Sequence, residues 1–231
     1  MFGFRLIGGE QAIREPARIA FAMLLECFSF EQIKAMHLKV FSNWSDNKID
    51  NLHTLWLKEQ NSPKCTSVGR LFDAWASLIG LIDGLDFEGE SGLIIENQII
   101  KETHSLTRRP VAYSELKRIR FELSDDGIID WRPALREVVQ RIQSETNVSQ
   151  AWFCHQLIDA IVSTICQWAG RHPELPVVLA GGVFQNRCLV NEAVSRLHQC
   201  QVDVYMGEKV PVNDAGIAVG QAYFGLRLKT K

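Results

Sequence analysis

Two adjacent glycines close the short apolar run "LPVVLAGG" at 175–182, and a helical pattern resumes almost at once in "QNRCLVNEAV" at 185–194. Gly181 and Gly182 therefore fall where the carboxyl end of a strand turns toward a helix. Glycine there admits backbone angles that other residues avoid and lets a ligand approach the main chain. The amino terminus of the following helix offers unpaired N–H groups and the positive end of its dipole, which suits an anion such as phosphate. A tight strand-to-helix turn explains the same pair without any ligand, and neither a Walker loop nor a G-x-G-x-x-G fingerprint accompanies it. Asn186 likewise has two readings: an amide that donates to and accepts from a base or sugar, or a helix N-cap.

A second constellation is "VPVNDAGIAVGQAYFG" at 210–225. Asn213 and Asp214 stand at the head of the last helical pattern, and Gly216, Ala218 and Gly220 keep one of its faces small enough for close packing. Asn-Asp is a good N-cap, and an acidic side chain beside a phosphate site is also a ligand type for a divalent metal. The third constellation pairs "SVGRLFDAWASLIG" at 67–80 with "LDFEGESGLIIEN" at 85–97. Asp73 is the one acidic residue in an otherwise apolar helical stripe, and Glu88 precedes Gly89 at a helix start. Such carboxylates accept hydrogen bonds from ribose hydroxyls, or act as caps and solvated charges.

The elements that must hold these residues are legible from periodicity. Helical spacing runs from Glu10 to about Leu25, with Pro16 marking where the regular helix starts. Two more helical stretches follow near 30–41 and 47–59, and Pro63 closes this region. Leu71, Phe72, Trp75, Leu78, Ile79 and Ile82 form one stripe, which predicts a buried helix at 69–81 ended by glycine. Within 110–130, alternation at Ile119, Phe121 and Leu123 before an Asp-Gly step predicts a β-hairpin. Helices are expected at 131–143 and 149–171, the second burying Trp152, Phe153, Leu157, Ile158, Ile161, Ile165 and Trp168. Beyond Pro173 the order is a short buried strand in "LPVVLAGG", a helix at 186–198, a strand at 202–206 and a helix at 214–228. Strand, helix, strand, helix at this spacing predicts a parallel α/β unit that binds ligands beyond the carboxyl ends of its strands.

The chain as a whole sets limits on function. With 231 residues, 46% of them hydrophobic, it can bury a proper core, and its net charge of −2 lacks the positive field of a sequence-independent nucleic-acid binder. The six cysteines show no C-x-x-C pair or zinc spacing, as expected in a reducing cytoplasm. No signal sequence and no apolar run of about 20 residues is present, so neither membrane insertion nor secretion is expected. Cys188, two positions into an apolar helix face, reads as a small hydrophobe rather than a nucleophile.

Taken together, "GGEQAIREPARIA" at 8–20, "TSVGRLFDAWASLIGL" at 66–81, "FEGESGLIIE" at 87–96, "LAGGVFQNRCLVNEAV" at 179–194 and "VPVNDAGIAVGQAYFG" at 210–225 resemble the carboxyl-terminal part of the hydrogenase-maturation carbamoyltransferase family, the HypF type. The resemblance implies a helix-rich α/β lobe of the actin/sugar-kinase/Hsp70-like (RNase H-like) nucleotide-binding class over residues 1–231. Its helical region would lie at about 10–60 and its α/β core at about 65–228. It implies that Gly181, Gly182 and Asn186 hold nucleotide, that Asp73 and Glu88 face its ribose side with Gly69 also in the nucleotide-binding set, and that Asp214 is a ligand to a divalent metal. Members of that family make carbamoyl-adenylate from carbamoyl phosphate and ATP and pass the carbamoyl group to the C-terminal cysteine of a HypE acceptor, toward the cyanide ligands of nickel–iron hydrogenase.

A complete member also has an acylphosphatase-like domain, zinc fingers, a YrdC-like domain and the lobe bearing His-rich metal ligands. This sequence shows none of these, and "EGESGLIIE" departs from the alanine-rich stretch usual after the family's Glu-Gly. One carboxylate is too few to hold a catalytic metal, because several protein ligands must offset the ion's lost hydration. The expectation is therefore one lobe of a split or truncated enzyme that needs a companion chain, or a non-catalytic nucleotide-binding module. The fit of "PVNDAGIAVGQAYFG" and "GGEQAIREPARIA" favours this branch over the related tRNA threonylcarbamoyl-transferases.

Overall fold

A computed structural model describes residues 1–104, 118–144 and 148–228. The chain forms two compact units, Met1–Thr164 and Ile165–Lys231, with the division inside one long helix.

In the first unit, strand β1 (Phe4–Arg5) pairs antiparallel with β2 (Lys64–Cys65), two short strands that the sequence pattern did not announce. Helix α1 (Glu10–Arg14) is followed by α2 (Ala17–Leu25), with Pro16 as its N-cap. Proline fits there because its missing N–H has no partner at a helix start. Every residue of α2 from Ile19 to Leu25 is buried, so this helix is the spine of the core. The stretch expected as one helix near 30–41 is instead α3 (Phe30–Ala35) and a 3-10 turn at Lys39–Phe41. Between them His37 adopts φ 47, a left-handed conformation that a continuing α-helix excludes. A capping box formed by Ser29 and Gln32 fixes the start of α3. Helix α4 (Asp46–Leu57) gives way to left-handed residues at Glu59 and Asn61.

Helix α5 (Val68–Leu78) lies against α2 and α6 (Glu90–His104). Its expected stripe is buried throughout, from Leu71 to Ile82, each large side chain contributing about 1.5 to 3 kcal/mol. Ser67 caps α5 by accepting from Arg70 N at 3.3 Å, and Gly80 leaves the helix at φ 75. The hairpin is β3 (Glu122–Leu123) paired antiparallel with β4 (Ile129–Asp130) around a turn containing Asp126 and Gly127. Residues 110–117 of the stretch read as hairpin lie outside the described residues. Trp131 precedes α7 (Arg132–Gln143) and is fully buried, with its Nε1 donating to Phe2 O at 2.7 Å. Trp75 Nε1 donates to Phe153 O at 3.1 Å, tying α5 to α8 (Gln150–Arg171). In α8 the residues Trp152, Phe153, Leu157 and Ile158 are buried, whereas Trp168, expected on the same side, is 45% exposed.

The second unit holds the parallel pair β5 (Val177–Leu179) and β6 (Val204–Met206), with α9 (Arg187–Gln199) between them in sequence. This is the β-α-β order expected, and α10 (Ile217–Leu228) completes it. Two details differ from expectation. β5 is covered on one side only, since Leu179 is buried while Val178 is 67% exposed. The last helix begins as a 3-10 turn at Asp214–Gly216 before α10. Helix-rich α/β is the fold class, as the sequence indicated. No helix among the described residues is long and apolar enough to cross a membrane.

Candidate functional site

The second unit places the two glycine-bearing motifs side by side. Gly181 N donates to Val212 O at 2.7 Å, so the chain leaving β5 runs beside the segment that delivers Asn213 and Asp214. Gly181 adopts φ 104 and ψ 157, a region that is nearly glycine-only. Gly181 and Gly182 are both exposed, and a Cβ added to either would meet nothing within 4 Å. The bend therefore has the open approach to the backbone that a ligand requires.

The helix does not follow the glycines directly. A 3-10 turn, Gly182–Gln185, comes first, and such a turn leaves its leading amides, those of Gly182 and Val183, without a partner inside it. Asn186 is buried at 6% exposure, and its Oδ1 accepts from Leu189 N at 2.9 Å, which makes it the N-cap of α9. Leu189, Val190, Ala193 and Leu197 bury the inner face of α9 and hold this turn in place. Cys188 is half-buried.

Across the bend, Asn213 Oδ1 accepts from Ala215 N at 3.2 Å, and Asn213 O accepts from Gly216 N at 2.9 Å. Asn213 is the cap, and Asp214 is left exposed in the first turn. Gly216 is forced to be small: a Cβ there would lie 2.4 Å from Pro211 O. Gly220 has no such neighbour within 4 Å, so the close packing expected along this face is confined to Gly216. Among the described residues no group of three His, Cys, Asp or Glu side chains is placed to hold a metal ion. Asp214 by itself does not make a metal centre, and this chain's described residues do not fit a resident metal.

The first unit contains the other sequence-chosen residues. Gly69 is half-buried in the first turn of α5. Asp73 is 1% exposed, and Ser91 Oγ on α6 donates to its Oδ1 at 2.5 Å. Arg70 Nη1 lies 2.9 Å from Asp73 Oδ2, a buried charge contact whose alignment does not complete a hydrogen bond. Arg70 Nη2 reaches Glu88 Oε1 at 3.5 Å. Burial pushes the Asp73 carboxyl above its ordinary range, against the opposing pull of the Ser91 hydrogen bond and the Arg70 charge. Glu88 is the solvent-facing carboxylate of the group, with Gly89 beside it at φ 86 leading into α6. In this conformation Asp73 is engaged within the protein by the Ser91 hydrogen bond and the Arg70 charge, and Glu88 is the acid that a dissolved ligand can touch.

Sequence reasoning missed Arg70 and Ser91. Arg70 had a visible signal, because it stands three residues before Asp73 on the same helix face. Ser91 had none, since only tertiary packing brings α6 to α5.

The comparisons agree with this architecture. Residues 1–221 match the family model described as "Carbamoyltransferase, Kae1-like Domain, second subdomain". Carbamoyltransferase HypF of Synechocystis sp. is 33% identical over 94% of this chain and 28% of its own length. HypF of Rhizobium leguminosarum bv. viciae is 25% identical over 94% of this chain and 26% of its own. Among solved structures, full-length HypF in a phosphate- and nucleotide-bound form superposes with a TM-score of 0.79, at 26% identity, over 96% of this chain and 33% of that one. HypF of T. kodakarensis shares the fold at the same TM-score and 20% identity. The chain thus spans about 30% of the length of the solved full-length protein and somewhat less of these curated relatives. On the match of nearly its whole length, the chain belongs to the HypF carbamoyltransferase family, as a Kae1-like second subdomain.

Proposed function

We propose that the chain is the nucleotide-holding lobe of a HypF-type carbamoyltransferase of nickel–iron hydrogenase maturation, working in the cytoplasm together with the further domains that its longer relatives carry. The ligand at the Gly181–Gly182 bend is ATP or a carbamoyl-adenylate, and the acceptor is the C-terminal cysteine thiol of a HypE-like protein. The observation that carries this reading is the Gly181–Val212 hydrogen bond, which sets an open glycine bend beside Asn213 and Asp214. A relative crystallised with phosphate and nucleotide supports the ligand class.

The leading amides of the 3-10 turn would donate to phosphate oxygens without any side chain in the way. Asn186 acts by fixing α9 at the bend, and Glu88 is the acid offered to a ribose hydroxyl, with Arg70 and Asp73 steadying it. A carbamoyl-adenylate is a mixed anhydride: a thiolate forms a C–S bond at its carbonyl carbon, the C–O bond to phosphate breaks, and AMP leaves. A fixed grip on that phosphate favours its departure. No nucleophile from this chain is needed.

A second reading, a nucleotide-binding module without catalysis, is favoured by the lone Asp214 and the lack of a three-ligand cluster among the described residues. Calorimetric titration separates the two. ATP and a non-hydrolysable carbamoyl-adenylate analogue are titrated with and without Mg²⁺ into the wild type, Gly182→Val and Asp214→Ala, alone and with the complementary HypF domains. The transferase reading expects binding that Gly182→Val weakens, and carbamoyl transfer only in the mixture. Binding without transfer in any mixture selects the module, and absence of nucleotide binding in every mixture overturns both.

A further inference from the structure

Helix α9 ends in a fixed turn. Cys200 is its C-cap and Gln201 follows in a left-handed conformation at φ 59. Gln201 N donates to His198 O at 2.9 Å and Val202 N donates to Leu197 O at 3.0 Å. This is the Schellman arrangement, in which paired bonds around a left-handed residue satisfy the last carbonyls of the helix. Leu197 inside the turn is fully buried, so the backbone that carries the Cys200 thiol is held in place while the thiol itself is exposed.

A second thiol stands beside it. Cys166 lies on the part of α8 that belongs to the same unit, half-buried, with Ala169 buried one turn further along the same face. Its neighbours include three residues of α9, Glu192, Arg196 and Cys200, and the Cys200 side chain is within hydrogen-bonding reach of its sulfur. Residues spaced four apart share one helix face, so this is the stripe of α9 turned toward α8. Glu192 and Arg196 pair with each other along it at 2.7 Å. Burial, followed by the neighbouring Cys200, holds the Cys166 thiol above its ordinary range, with Arg196 pulling the other way. The two thiols therefore differ in kind: Cys200 is the one a dissolved reagent can reach, and Cys166 is sheltered behind it.

We propose that Cys166 and Cys200 form a reversible redox clamp, a dithiol under reducing conditions that a small-molecule disulfide of the glutathione class converts into an intrachain bond. The Cys200 thiolate attacks one sulfur of that disulfide, whose S–S bond breaks and releases one small thiol. Cys166 then gives up its proton and attacks the Cys200 sulfur of the mixed disulfide, expelling the second small thiol. One small disulfide is reduced to two thiols, and the two protein thiols are oxidised to one disulfide. The closed segment, 166–200, carries β5, the Gly181–Gly182 bend and all of α9. Closing it restricts the unfolded chain and fastens the end of α9 to α8. The clamp does not depend on what the glycine bend binds.

The test is incubation of the full chain in buffers of oxidised and reduced glutathione, followed by alkylation of free thiols, mass spectrometry and peptide mapping. The wild type should lose the mass of two hydrogens, retain no glutathione and yield a peptide that joins Cys166 to Cys200. Cys166→Ser should stop at the mixed disulfide, with one glutathione held on Cys200. In Cys200→Ser, the sheltered Cys166 should react roughly tenfold more slowly than in the wild type. The oxidised wild type should melt a few degrees above the reduced form, and a dithiol reductant should reverse the shift. A glutathione adduct that persists on Cys200 of the wild type overturns the proposal, as does a bond joining other cysteines. So do equal melting temperatures of the two forms, or oxidation of Cys166 at the same rate with and without Cys200. The wild-type readouts decide the matter even if a serine variant fails to fold.

Discussion

The amide of Gly181 donates to the carbonyl oxygen of Val212 at 2.7 Å, and that one bond joins the end of β5 to the segment leading into α10. Gly181 makes it from φ 104 and ψ 157, which an L-residue enters only with strain, although a Cβ would meet no neighbour within 4 Å. The cost of Gly181→Ala is therefore conformational rather than steric, about 1 to 3 kcal/mol. Gly182 has equally open space and no positive φ, so Gly182→Ala should leave the melting temperature nearly unchanged. Thermal unfolding of the pair checks this, and an equal loss in both variants refutes the distinction.

Asn186 allows its capping role to be separated from a role toward a ligand. Its Oδ1 accepts from Leu189 N, so Asn186→Ala should destabilise the protein by about 1 kcal/mol, while Asn186→Ser keeps a capping oxygen and most of that stability. If the amide also touches nucleotide, the serine variant recovers stability but not ATP affinity. Denaturant melts set beside ATP titrations give both quantities. Full recovery of both by serine would mean that Asn186 acts only through α9.

The helices were the most readable part of the sequence, because their stripes have the length to average out local noise. The stripe from Leu71 to Ile82 is buried as the periodicity requires, and Pro16 marks the start of α2. The β1–β2 pair was not readable: each strand has two residues, too few for any alternation to show. His37 split an expected helix through a single left-handed residue, a choice that propensity does not record. At the site, the glycine bend and the Asn213 cap could be read as turn chemistry. The burial of Asp73 could not, because it depends on Ser91 arriving from a different helix.

The Arg70–Asp73 pair should show itself through pH. Arg70→Met leaves the Asp73 carboxylate buried beside no cation, a loss of about 3 to 5 kcal/mol at neutral pH. Burial already raises the folded-state pKa of Asp73, and losing Arg70 raises it further. A group with a raised folded pKa contributes stability that is complete below the unfolded pKa and lost as pH rises through the folded one. The deficit of Arg70→Met relative to wild type should therefore be largest near pH 7 and shrink as the pH falls toward and below the ordinary aspartate range, about 4, because the folded-state carboxyl is progressively protonated and no longer needs a cation beside it. Urea melts across that range measure it, and a deficit independent of pH would show that Arg70 acts through packing alone.

Glu15 makes the opposite prediction. It lies just before α2 and accepts from Arg18 Nε at 2.6 Å while pairing with Lys48 on α4. Burial works to raise its pKa, but the hydrogen bonds and charges of Lys48 and Arg18 outweigh it, and the carboxyl is held below its ordinary range. A lowered folded pKa gives stability that is present above the unfolded pKa and lost as pH falls through the folded one. Glu15→Gln should therefore cost about 1 to 2 kcal/mol at neutral pH, with the difference from wild type closing in acid as the native carboxylate is protonated. Salt should reduce the loss only in part, since the group is half-buried and less screened than a surface pair. Melts in acid and at neutral pH, at low and high salt, decide the matter: a difference that grows as the pH falls would mean that Lys48 and Arg18 do not hold the Glu15 carboxylate ionised in the folded protein.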